Sequence, residues 1–176
     1  RFILNNGLEL QTNQNELPQY MFCNLTKIKK IILPTKITQI GRNAFENSGI
    51  DSIQIPNSVS AINFYAFSNC KNLTSVVLPD GLKYIDFSVF SDCAALKAIS
   101  IPETVEIIFE AAFINCSALI SVTIPKSVNS IKNSSFIGCS KLKEFIVSEN
   151  NPNYCSVDGV LFNYNMTELI TYPAAK

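Results

Sequence analysis

Histidine is absent from this chain of 176 residues. With it goes the side chain most used for acid–base chemistry near neutral pH and a principal zinc ligand. No excess of positive charge exists either: Lys plus Arg and Asp plus Glu number 14 each. Nucleic acid is therefore not an expected partner, since its binding draws on surplus Lys and Arg. No apolar run approaches the roughly 20 residues of a membrane-spanning helix. Candidates such as Lys30-Ile31-Ile32-Leu33-Pro34 are strand-length and end in proline. The chain opens at Arg1 without a charged segment followed by an apolar one, so a leader is read as already removed, or the chain as an excised piece. Glycine is thin: six residues lie singly, as at Gly41, Gly81 and Gly138, with no loop that could cradle a phosphate. No C-x-x-C pair is present, the acidic residues are scattered, and a cysteine nucleophile would lack its usual partner base. Asp158-Gly159, between strand-like runs, reads as a turn. The expectation is a protein that is not an enzyme, with no metal and no cofactor.

What is present is a repeat. Hydrophobic residues make up 47% of the chain against 16% charged, which predicts an extensive interior rather than disorder. Phe stands at 22, 45, 67, 90, 113 and 136, in steps of 23, 22, 23, 23 and 23. Pro stands at 34, 56, 79, 102 and 125, and Cys at 70, 93, 116 and 139, in the same phase. Ile28, Ile50, Leu73, Leu96 and Leu119 each lie six before a proline. The one short step reflects a deletion between Phe45 and Ile50. The clearest copies run over 59–79, 82–102 and 105–125; 128–148 has Ser148 in place of proline, and 14–34 is degraded at its start. Leu8 and Leu10 also fall in phase, which puts the start of the array at or before residue 7.

Before each proline the chain alternates, as in Ile99-Ser100-Ile101, the period of a strand with one face buried. Proline has no N–H and so ends the strand. A strand recurring every 23 residues predicts parallel strands joined by a short return path, too short for a long helix. A turn or a single helical turn is expected near Ala66-Phe67 and its equivalents. One such coil cannot bury its own apolar side chains, so neighbouring coils are obligatory.

Leu73-x-x-Val76-x-Leu78-Pro79-x-x-Leu82-x-x-Ile85, followed by Phe90-x-x-Cys93, resembles the leucine-rich repeats of the BspA-like surface protein family. The segment Asn151-Pro152-Asn153-Tyr154-x-x-Val157-Asp158-Gly159-Val160-Leu161-Phe162, ending in Leu169-Ile170-Thr171-Tyr172-Pro173, is similar to one that recurs in that family. A glycine common after the repeat isoleucine is kept only as Gly41, and Ser148 replaces a proline, which suggests a divergent member. The resemblance implies an α/β leucine-rich-repeat solenoid, a horseshoe with parallel strands on its concave face and turns or single helical turns on the convex side. The domain reading is one array over 1–176: about six repeats of 22–23 residues over 14–148, a partial repeat before them, and a longer hairpin-containing repeat over 149–176.

Equivalent residues should stack in columns. Cys70, Cys93, Cys116 and Cys139 are then parallel thiols spaced like strands, at about 4.8 Å, which is poor geometry for disulfides; they are read as buried, free and apolar in role. The Phe column should form an interior aromatic spine. Five N-x-S/T sequons, at Asn24, Asn72, Asn115, Asn133 and Asn165, fit a secreted or surface protein of a glycosylating cell.

The one large regular surface is the outward face of the strands: Lys30 and Ile32, Ser52 and Gln54, Ser75 and Val77, Ala98 and Ser100, Ser121 and Thr123, Glu144 and Ile146. Its side chains are small and mostly uncharged, which favours a broad protein partner over a small molecule. These rows contain no Tyr or Phe, and so lack the aromatic platform of a glycan-binding protein. The family resemblance implies adhesion to host cells or matrix proteins, at the cell surface or after secretion. An intracellular scaffold or regulatory interaction module is the alternative.

Overall fold

The computed structural model describes residues 2–4, 9–10 and 15–176, with side chains from residue 15 onward. The chain winds as a parallel-strand β-solenoid of about six turns. Its front face carries β4 (Ile31–Ile32), β6 (Ser52–Gln54), β8 (Ser75–Val77), β11 (Ser121–Ile124) and β13 (Glu144–Val147). β6 pairs with β8 and β11 with β13, both parallel, and a Lys30–Ser52 bridge joins the first coil to the second. Ile53, Val76, Ile99, Val122 and Phe145 point inward and are buried. Residues 98–101 lie between β8 and β11 without forming a strand, although Ile99 and Ile101 keep their inward placement.

Past each proline corner runs a second parallel ladder, the flank. It comprises β3 (Glu16–Leu17), β5 (Gln39–Ile40) and β7 (Ala61–Ile62), then β9 (Tyr84–Ile85), β10 (Ile107–Ile108) and β12 (Ser130–Ile131). These strands are two residues long because the corner and the back leave no room for more.

The back of each coil corrects the α/β expectation. Among the described residues there is no helix, and every back segment is a chain of turns. Two positions per coil have positive φ, four residues apart and astride the phenylalanine: Asn43 and Asn47, Tyr65 and Asn69, Ser88 and Asp92, Ala111 and Asn115. A left-handed residue interrupts the right-handed run that a helical turn requires. The N–H groups that a helix would use internally instead bond the next coil. Phe45 N–H donates to Ala66 O at 2.8 Å, Phe67 to Val89 O at 2.9 Å, Phe90 to Ala112 O at 2.9 Å and Phe113 to Ser135 O at 2.9 Å. Coil-to-coil bonding thus runs on all sides, satisfying buried backbone without helices.

Inside this ladder lies the expected spine. Adjacent rings from Phe22 to Phe136 stack with centroids 5.0 to 5.6 Å apart and planes within 18°. Phe145 closes the stack edge-on at 5.1 Å from Phe136. The deleted residue between Phe45 and Ile50 has a local consequence. It draws Gly49 so close to the Thr26 carbonyl that a Cβ would collide with it, so the short coil needs glycine there.

At the first coil, β1 (Phe2–Leu4) pairs antiparallel with β4, and β2 (Glu9–Leu10) pairs antiparallel with β1. Leu10 therefore does not continue the parallel ladder as its phase suggested, and Leu8 lies outside the described residues. Beyond the last coil, β14 (Tyr154–Val157), β15 (Val160–Asn163) and β16 (Leu169–Thr171) form an antiparallel sheet. Its β14–β15 turn docks on β13: Phe145 N–H donates to Gly159 O at 2.8 Å, and Ser156 Oγ donates to Phe145 O at 2.6 Å. Ile131 N–H finds Tyr154 Oη at 2.8 Å, and Ala175 N–H finds Leu142 O at 2.8 Å. An otherwise open sheet edge is covered in this way.

Candidate interaction surface

The twelve front-face residues come together as two rows because parallel pairing in register lays equivalent positions side by side. Ser52 faces Ser75, Gln54 faces Val77, Ser121 faces Glu144 and Thr123 faces Ile146. Lys30, Ile32, Gln54, Ser75, Val77, Ala98, Ser100, Thr123, Glu144 and Ile146 are exposed, and Ser52 and Ser121 half-buried. Alternation does this: each lies one residue from a buried aliphatic or Phe145. Ile32 (51% exposed), Val77 (58%) and Ile146 (48%) offer substantial apolar surface, set among hydroxyls. Two depressions mark the face. One of about 400 Å³ is lined by Lys30–Leu33, Ser52–Gln54 and Pro56. The other, about 510 Å³, follows residues 98–103, where the strand ladder is interrupted, together with Ser121 and Thr123. Lys30 and Glu144 are the only charges among the twelve, at opposite ends. Such a surface can take hydrogen bonds and apolar contact; it holds no paired acid and base.

The cysteine column lies in the interior, and all six cysteines are free thiols. Each of the four stacked thiols donates to the phenylalanine carbonyl of the preceding coil: Cys70 to Phe45 O at 3.0 Å, Cys93 to Phe67 O and Cys116 to Phe90 O at 3.1 Å, Cys139 to Phe113 O at 3.2 Å. Burial pushes the Cys70 thiol up to about 11 and Cys139 up to about 12, and it raises Cys93 and Cys116 as well. A thiol held neutral is a poor nucleophile and metal ligand. Ser48 fills the same position in the short coil, with its Oγ 3.4 Å from Cys70 Sγ.

Two features escaped the sequence reading. An amide ladder climbs the back through the second left-handed position: Asn47 Nδ2 donates to Asn24 Oδ1 at 2.7 Å, Asn69 Nδ2 to Asn47 Oδ1 at 3.0 Å, and Asn115 Nδ2 to Asp92 Oδ1 at 2.9 Å. Asx residues one before three of the four stacked cysteines, at 69, 92 and 115, were the available signal. The other is an aromatic cluster on the flank, where Tyr65 meets Phe87 and Tyr84 meets Phe109.

The family model for the BspA-type leucine-rich repeat region, in six copies, matches residues 5–74 and 61–173. The chain belongs to the BspA-type leucine-rich-repeat family. A search of curated protein sequences finds no match. Among solved structures, the chain is similar to a leucine-rich cell surface protein of Faecalibacterium prausnitzii, with 33% identity over 66% of this chain and 31% of that one, at a TM-score of 0.64. It is similar also to a leucine-rich repeat protein of Eubacterium ventriosum (28% identity, 80% of this chain and 40% of that one, TM-score 0.68). A third is the pneumococcal vaccine antigen PcpA (30% identity, 72% and 37%, TM-score 0.60). The chain thus spans well under half the length of each.

Proposed function

We propose that this repeat array is a non-enzymatic protein-binding module, secreted or displayed at a cell surface, that attaches to host matrix or cell-surface proteins through its front face. The observation that carries the reading is the twelve-residue face itself. It extends over six coils, carries only the charges of Lys30 and Glu144 at its ends, and sets three exposed aliphatics among small polar side chains, which suits a broad macromolecular partner. Support for the location comes from the similar proteins described as a cell surface protein and a vaccine antigen.

The test is surface plasmon resonance of the folded chain against a panel of immobilised matrix proteins. Val77→Lys and Ser100→Lys, at the centre of the face, should weaken a hit at least tenfold while the thermal melt is unchanged. Affinity that survives both substitutions would place binding elsewhere and end the front-face reading.

A further inference from the structure

The charges of this chain cancel in total but are unevenly placed. Each coil has a short edge that leads from its back into its front strand, as the flank leads away from it: residues 26–29, 49–51, 71–74, 94–97, 117–120 and 140–143. Backbone bonds between coils bring these segments into line. Asp51 N–H donates to Lys29 O and Thr74 N–H to Asp51 O, both at 2.8 Å. Further along, Ile120 N–H donates to Lys97 O at 3.1 Å and Lys143 N–H to Ile120 O at 2.9 Å. Lys27, Lys29, Lys71, Lys97, Lys141 and Lys143 all stand on this edge, and all are exposed. Asp51 is its one carboxylate, 3.6 Å from Lys29.

The surplus survives a count of the neighbouring charges. On the front face Lys30 and Glu144 cancel. Beside the last coil Lys176, whose ammonium donates to Asp158 O, is offset by the Asp158 carboxylate. Towards the back stand the half-buried Glu46 and Asp92, each turned to an amide: Asn43 Nδ2 donates to Glu46 Oε2 at 2.7 Å, and Asn115 Nδ2 to Asp92 Oδ1 at 2.9 Å. Eight lysines then meet five carboxylates, on a chain with 14 charges of each sign.

The strip is long and narrow. Five steps from coil to coil, with the stacked rings of the spine 5.0 to 5.6 Å apart, make it roughly 25 Å long. Its lysines recur on the first, third, fourth and sixth coils. A linear polyanion laid along the solenoid axis meets all four groups and releases its counterions as it binds. A single-stranded nucleic acid would draw on stacking rings and on Arg, and the edge has no Tyr, Phe or Arg. An anionic membrane spreads its charge over a plane and takes up apolar side chains, and Ile120 is the one large apolar side chain exposed on this edge. A sulfated polysaccharide matches the strip better. It is a stiff chain with permanent charges at ring-to-ring intervals, and ionic recognition needs no aromatic platform.

We propose that this lysine edge is a second binding surface, distinct from the front face, for an extended sulfated polysaccharide that runs along the solenoid axis.

The experiment is isothermal titration of the chain, made in a bacterial host so that Asn72 beside Lys71 carries no glycan. The probes are a heparin dodecasaccharide, its desulfated counterpart, a single-stranded oligonucleotide of similar length, and vesicles of phosphatidylcholine with phosphatidylserine. Saturable binding of the heparin oligosaccharide is expected, weakening at least tenfold between about 0.05 and 0.2 M salt. The desulfated chain should not bind, and the oligonucleotide and vesicles should bind at least tenfold more weakly. Lys71→Glu combined with Lys97→Glu should weaken heparin binding at least tenfold, and Lys141→Gln with Lys143→Gln a few-fold, both with an unchanged thermal melt. Lys83→Glu with Lys132→Glu on the flank, and Val77→Ser on the front face, should change it less than twofold. No binding of heparin, equal or tighter binding of any other probe, full affinity in the folded edge variants, or an equal loss from the flank pair would each overturn the proposal.

Discussion

Replacing Phe90 by alanine is the sharpest probe of the architecture. The ring has no solvent exposure and sits between Phe67 at 5.5 Å and Phe113 at 5.6 Å, stacked nearly parallel to both. Truncation removes the transfer energy of the ring and leaves a cavity, together about 3–5 kcal/mol. Two stacked contacts are lost as well, each worth about 0.5–1.5 kcal/mol beyond burial, so the upper half of that range is expected. With a urea m-value of about 2–3 kcal/mol/M, the unfolding midpoint followed by circular dichroism should fall by roughly 1–2 M. Phe90→Leu keeps much of the volume and should lose about half as much. The column makes a further demand on pairs. Phe90 and Phe113 touch, so the double variant should deviate from additivity by about 0.5–3 kcal/mol, whereas Phe45 and Phe113, three coils apart, should add within about 0.5 kcal/mol. An unchanged midpoint for Phe90→Ala, or equal coupling for both pairs, would refute a stacked interior spine.

The remaining predictions probe the other columns. Thiol titration should find Cys70, Cys93, Cys116 and Cys139 unreactive in the native protein and all four free after denaturation. The open-chain thiol ionises near 9.0 and the folded Cys70 and Cys139 near 11 and 12, so the folded state binds the proton more tightly. The resulting stability is complete below pH 9 and lost as pH rises towards 11 and 12; the loss between pH 8.5 and 11, read by urea midpoints, should shrink in Cys70→Ser. Asn47→Ala removes two ladder hydrogen bonds and places a Cβ-bearing residue without a local polar partner at φ 54°; a loss of about 2–3 kcal/mol is expected, and Asn47→Gly should lose about 1 kcal/mol less. Produced in a secretory host, the chain should carry glycans at the exposed Asn72 and Asn133 and none at Asn115, whose Nδ2 is bonded to Asp92, with site occupancy read by mass spectrometry.

What separates the legible parts of this protein from the illegible ones is whether a property repeats. Phe22 through Phe136, the prolines and the four stacked cysteines were readable because a solenoid places residue i over residue i plus 23, so burial writes a period into the chain. The outward rows followed by alternation alone, and all twelve positions are exposed or half-buried. The backs of the coils were not readable in this way. Phe with small neighbours is compatible with a helical turn. Only contact between coils, where Phe45 N–H meets Ala66 O and its equivalents follow, makes left-handed Asn43 and Asn47 worth their local strain. The interruption of the front ladder at residues 98–101, the antiparallel strand beside β4 and the edge-to-face contacts of Tyr65 with Phe87 and of Tyr84 with Phe109 belong to the same class. Each depends on how one particular coil meets its neighbour, and pairwise geometry between non-identical side chains leaves no period to read. Order along the chain was a matter of composition and spacing; the shape of its surfaces was decided by tertiary contact.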